Sequence, residues 1–138
     1  MVDSLREVPL FSDLTTRDLK RLADSMKETS FTAGAEVVAE GKSGVGFFVI
    51  LDGSARVSQG GEDRGVLTAG DYFGEMALID GDDRTASVHA ESDLRCASMT
   101  TWNFRPFVKA HPDVAWALLT ALVKRVRESH ARQVGAVG

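Results

Sequence analysis

The sequence predicts a mainly β fold with flanking helices, a sandwich or jelly-roll barrel, on three observations. From Ser30 to Met99, short β-type runs are separated by glycine-rich turns about every ten residues, a spacing that leaves no room for alternating βαβ units. Helical periodicity is confined to the flanks, over residues 16–27 and beyond Thr100. The 138 residues, 43% hydrophobic and 26% charged, suffice for one core without metals or disulfides. A single domain over 1–138 is therefore expected, with an N-terminal helical segment (1–29), a β-roll (30–100) and C-terminal helices (101–133).

In chain order, Val8, Pro9, Leu10 and Phe11 form an apolar plug ahead of a helix expected over 16–27. Thr15 with Asp18 three residues on resembles a capping box, and Leu19, Leu22, Ala23 and Met26 share one face. Strands are then expected at Phe31 and over 36–39, 46–51, 54–58 and 65–68, with 85–90 and 94–99 as the last two. The run Gly46-Phe-Phe-Val-Ile-Leu has no polar break, so it should be a central strand. Thr101 is the expected N-cap of a short helix with Pro106 in its first turn. Pro112 should open a longer helix to about Arg132, before a frayed tail. Ala115, Leu118, Leu119, Leu122 and Val126 make its core stripe, and Val114, Ala121 and Val123 widen it. A stripe that broad can meet the body on one side and a ligand or sister helix on the other.

The formal charge of −4 argues against a nucleic-acid-binding surface. No apolar run approaches the ~18 residues of a membrane span, and the first residues lack a signal-peptide core, so a cytoplasmic location is expected. The single cysteine, Cys96, lies in a strand-like stretch and is read as buried core. Gly41, Lys42 and Ser43 imitate the end of a P-loop, but Glu36 stands where that motif needs glycine. His89, His111 and His130 have no metal-ligand spacing, and Asp80, Asp82 and Asp83 do not fit an EF-hand, so neither catalysis nor a metal is expected.

Chemistry concentrates in residues 70–88, Gly-Asp-Tyr-Phe-Gly-Glu-Met-Ala-Leu-Ile-Asp-Gly-Asp-Asp-Arg-Thr-Ala-Ser-Val. A helix opening at Gly74 and Glu75 would point unpaired N–H groups, around Met76 and Ala77, at an anion. Arg84 offers a permanently charged fork and Thr85 a hydroxyl for the same oxygens. A carboxylate cannot bind phosphate, so Glu75 needs another donor, such as sugar hydroxyls. The residues alone also allow an ordinary strand–turn–helix in which Arg84 pairs with Glu75 or an aspartate.

This run, with Phe31, Gly34, Gly41, Phe47-Phe-Val-Ile50, Gly53 and the closing helices, resembles the phosphate-binding cassette and frame of cyclic nucleotide-binding domains. Those domains occur in catabolite-activator-type regulators, cyclic-nucleotide-dependent kinases and cyclic-nucleotide-gated channels. The resemblance implies a double-stranded β-helix (jelly-roll) barrel, with Glu75 accepting the ribose 2′-hydroxyl and Arg84 binding the cyclic phosphate. It implies a ligand-binding set of Phe73, Gly74, Glu75, Met76, Ala77, Arg84, Thr85 and Ala86. Family members that have abandoned cyclic nucleotides typically lose the Glu or the Arg, and this chain keeps both. Two residues depart from the pattern: Asp83 stands where many members have proline, and Lys42 replaces a commonly acidic residue.

The expected function is a sensor module without catalysis or cofactor, binding cAMP in preference to cGMP and moving its last helix over the base. Leu119, Val123, Val126 and Arg127 are the lid candidates. The alternative is a nucleotide-independent interaction or dimerisation module using the same helix, toward a second copy or an effector domain. No helix-turn-helix, kinase or channel domain is expected within these 138 residues.

Overall fold

The fold is that of a computed structural model, which describes residues 1–12, 14–39, 41, 46–74 and 86–137, with 101, 118, 121, 122, 125 and 129–137 described by backbone alone. Helix α1 (Val2–Arg6), a 3₁₀ turn (Pro9–Phe11) and α2 (Thr16–Ser25) precede the strands β1 (Lys27–Phe31), β2 (Glu36–Val38), β3 (Gly46–Asp52), β4 (Ser54–Gln59), β5 (Glu62–Thr68), β6 (Tyr72–Phe73), β7 (Ser87–Ala90) and β8 (Leu94–Thr100). Helices α3 (Thr101–Ala110) and α4 (Pro112–Val137) follow.

The strands form two four-stranded sheets, ordered β1-β8-β3-β6 and β2-β7-β4-β5, with antiparallel pairing throughout. They bear out the mainly β, jelly-roll class, as two sheets not closed into a barrel. Between them lie Ile50, Ala55, Phe73, Val88, Ala90, Leu94 and Cys96. A second cluster joins the outer face of the first sheet (Phe47, Val49, Ala97, Met99) to Leu5, Val8, Leu10, Phe11, Leu19, Leu22, Met26, Phe104, Phe107 and Val114. The first sheet is thus covered on both faces, which is why residues 46–51 carry no polar break. Cys96 has no exposed surface, and burial pushes its thiol up to about 11, so it is core.

The chain passes between the sheets at two corners that touch, Asp52-Gly53-Ser54 and Glu91-Ser92-Asp93. The Ser54 N–H donates to Ser92 Oγ at 3.0 Å and the Glu91 N–H to the Ser54 carbonyl at 3.0 Å. Asp93 Oδ1 accepts from the Ala33 N–H at 3.0 Å. Gly53 has φ +91°, and a Cβ there would lie 2.2 Å from the Asp93 carbonyl oxygen. No other residue fits that corner.

Several boundaries differ from expectation. Helix α2 ends at Ser25, and the first sheet begins at Lys27, where Lys27, Glu28 and Thr29 pair with Ser98, Ala97 and Cys96. Polar residues suit this edge strand. Thr15 does cap α2, its side chain accepting from the Asp18 N–H at 3.1 Å. Helix α3 starts at Thr101 with Thr100 as N-cap, because pairing with Gly46 keeps Thr100 in the sheet. Thr100 makes no side-chain cap, and its buried Oγ1 has no partner among the described residues. Pro106 lies past the first turn, inside α3, where it cannot donate to the Trp102 carbonyl. Helix α4 runs on to Val137, through the tail expected to fray. Of its expected stripe, among the side chains described, Val114 is buried and Ala115 half-buried, whereas Leu119 (54%) and Val126 (55%) are exposed.

Gly53→Ala should destabilise the fold by roughly 2–4 kcal/mol, combining left-handed strain with the clash. Gly60→Ala, where a Cβ meets nothing, should cost only about 1 kcal/mol. Urea unfolding midpoints at unchanged m-value would check the order, and equal losses would contradict it.

Candidate functional site

Residues 74–86 join the two sheets at the end opposite the Gly53 corner. Strand β6 enters along the edge of the first sheet, with Phe73 opposite Phe48 and Tyr72 opposite Val49. Strand β7 leaves in the second sheet, with Ser87 opposite Ser58 and Val88 opposite Val57, then runs to Ala90 opposite Ala55 at the corner. Inward-facing Val38, Phe48 and Val57, beside Val88 and Phe73, are only partly buried and make an apolar floor at the end opposite that corner, whereas Leu67 pairs with Ala55 at the corner itself.

The approach to the crossing is held firmly. The Ile50 N–H donates to the Asp71 carbonyl at 2.8 Å, the Gly70 N–H to the Ile50 carbonyl at 2.9 Å, and the Thr68 N–H to Asp71 Oδ2 at 2.8 Å. Phe73 is 7% exposed and stacks on Phe48, with ring centroids 5.0 Å apart and planes within 8°. Its side chain therefore belongs to the core beneath the site and leaves only its backbone for a ligand. Gly74 follows with φ +89°, a left-handed turn that releases the chain from β6. On the exit side Ala86 is half-buried. Of the sequence-derived set, Phe73, Gly74 and Ala86 are thus placed at the two rims. Glu75, Met76, Ala77, Arg84 and Thr85 lie outside the described residues, as do the helix opening at Glu75 and the acidic Asp80, Asp82 and Asp83.

The arginines of the described strands, and two histidines, face carboxylates. Arg56, between inward-facing Ala55 and Val57, bonds Glu91 at 2.8 Å and Asp63 at 2.6 Å on the outer face of the second sheet. Its hydrogen bond to Glu91, with the charges of Asp63 and Glu91, pushes the guanidinium pKa up. Arg95 is committed to Glu28, and that hydrogen bond likewise raises its pKa. His89 faces Glu36 at 3.3 Å, and His111 faces Asp18 at 3.5 Å. Among the described residues no group of three or more His, Cys, Asp or Glu could hold a metal ion. Nor is any described helix long and apolar enough to cross a membrane.

Residues 28–111 match the sequence profile of the cyclic nucleotide-binding domain, more than half of the chain. The chain belongs to that family. Within it, this cyclic nucleotide-binding domain is 38% identical over 97 residues to a cAMP-dependent protein kinase regulatory subunit of Yarrowia lipolytica, an alignment covering 69% of this chain and 26% of the relative. The corresponding regulatory subunit of Schizosaccharomyces pombe is 40% identical over 95 residues, covering 68% and 23%. This domain therefore spans about a quarter of the length of these relatives. Among solved structures it is similar to the catabolite activator protein of Thermus thermophilus, with TM-score 0.85 and 25% identity over 91% of this chain and 61% of that one. The cAMP co-crystal of the regulatory domain of Toxoplasma gondii PKA gives TM-score 0.77 and 26% identity, covering 90% and 48%.

The apolar floor escaped the sequence reading of this domain. Val38 and Val57 sit in alternating strands where any inward position looks like ordinary core. Only the pairing of β4 with β7 shows that Val57 stands beside the crossing.

Proposed function

We propose that this domain is a cytoplasmic regulatory module that binds a cyclic nucleotide reversibly, cAMP in preference to cGMP, without catalysis, metal or cofactor. The observation that carries the reading is that Phe73 and Ser87, which flank residues 74–86, lie on different sheets beside partly buried apolar residues, in a chain that retains both Glu75 and Arg84. An apolar floor suits the base and sugar faces, while a guanidinium and backbone N–H groups suit the cyclic phosphate. In this reading Arg84, Thr85 and the N–H groups around Met76 and Ala77 hold the phosphate. Gly74 permits close approach, Phe73 and Ala86 anchor the rims, and Glu75 accepts the ribose 2′-hydroxyl. The cAMP-bound Toxoplasma gondii relative supports the ligand class.

Coupling runs through α4. Beyond its first turns the helix exposes Leu119, Val123, Val126 and Arg127, the residues proposed to close over the base as ligand shifts the helix population. One observation favours a second reading, a nucleotide-independent interaction module toward a second copy or an effector. Trp116 (72% exposed), Leu119 (54%), Val123 (51%) and Val126 (55%) recur at the three- and four-residue spacing of a helix–helix seam.

Calorimetry with cAMP should show binding by the wild type and a loss of about 100-fold or more in Arg84→Gln, since a charge-assisted bidentate contact is removed. No heat at millimolar cAMP would reject the sensor reading, and competition by cGMP at equal affinity would reject the preference. Glu75→Ala should weaken cAMP about tenfold more than its 2′-deoxy analogue. Equal losses would mean that the carboxylate does not meet the 2′-hydroxyl. For the seam, light scattering of the wild type and Val123→Glu should show a dimer converted to monomer. A wild type that stays monomeric at 100-fold higher concentration would leave α4 to the lid role alone.

A further inference from the structure

His111 stands at the joint between α3 and α4, and its surroundings tie that joint to a third helix. Its backbone leaves helical geometry (φ −129°, ψ 76°) while its N–H donates to the Phe107 and Val108 carbonyls at 2.9 and 3.2 Å. Its carbonyl accepts the Val114 N–H at 3.0 Å, so the same residue closes α3 and opens α4. The ring packs on Phe107, with centroids 4.5 Å apart, and Nδ1 lies 3.5 Å from Asp18 Oδ1 on α2. The His111 side chain is 13% exposed and that of Asp18 25%, so the contact is sheltered. Asp18 sits in the first turn of α2, which Thr15 caps.

Among the described side chains of α4, those packed into the helical core lie near its start. Val114 is buried and Ala117 partly buried in the helical core. Further along, Val123, Lys124, Val126, Arg127 and Glu128 are all exposed. At the base of so long a helix, small changes of direction become large displacements of the far end.

We propose that His111 and Asp18 form a latch that sets the resting direction of α4, so that its strength tunes how readily α4 responds to ligand. The regulatory half of this inference rests on the proposed movement of α4; the latch itself does not. His111 is a positioning residue, acting through the helix it anchors and not through contact with nucleotide. A latch that holds α4 at rest opposes the bound arrangement, so releasing it removes part of the population cost of binding.

The test is a double-mutant cycle in the full chain, using Asp18→Asn, His111→Gln and their combination, with Asp18→Glu as the conservative control. Hydrogen exchange at amides 113–117 of the ligand-free protein should rise about three- to tenfold in each single variant. It should rise no further in the double variant and stay near wild type in Asp18→Glu. Additive effects, or no change at these amides, would overturn the latch. Calorimetry on the same proteins should then show cAMP bound two- to fivefold more tightly by the latch variants, the scale of one polar side-chain contact. Unchanged affinity alongside faster exchange would overturn the regulatory role. No cAMP binding by the wild type would reject the sensor reading, and with it the regulatory role, while the exchange cycle still decides the latch.

Discussion

Burial of the first sheet on both faces is the constraint from which the rest of the architecture follows. Strand β3 is apolar from Phe47 to Leu51 and β8 buries Leu94, Cys96, Ala97 and Met99, so two bodies of structure must exist to cover them. The N-terminal helices, with α3 and the first turns of α4, supply one cover. The second sheet supplies the other. The helices are therefore part of the core rather than appendages to it. Ile50 and Val49, neighbours in sequence, report to different interiors. A movement of the helical layer is thus felt directly on the outer face of a sheet whose inner face lines the candidate site.

The parts of the fold legible in sequence were those in which local pattern and tertiary need coincide. The unbroken run from Gly46 to Leu51 announced a strand covered twice, and Thr15 with Asp18 announced a helix start that the structure caps as expected. What was not legible depended on contacts distant in sequence. Lys27 and Glu28 continue a plausible helix, and only their pairing with β8 makes them a strand. The apolar face of α4 signalled that something covers it, but periodicity is silent on what. The body covers Val114 and leaves Leu119 and Val126 exposed.

The candidate site shows the same division. The residue types of 70–88 identify the chemistry, because phosphate needs a cation and N–H donors while a sugar hydroxyl needs a carboxylate. Their setting is topological: Phe73 belongs to one sheet and Ser87 to the other, a fact that emerges only from the registers Phe48–Phe73 and Ser58–Ser87. Phe73 also shows how a motif residue can serve its site from below, as part of the floor, without offering its side chain to a ligand.

The paired corners at Gly53 and Asp93 have a mechanical consequence. They fasten the two sheets together at one end through hydrogen bonds among Ser54, Glu91 and Ser92. Strands β4 and β7 both start or finish at this clamp, so their mutual register is set there, and a residue far along either strand inherits its alignment from a corner it never touches.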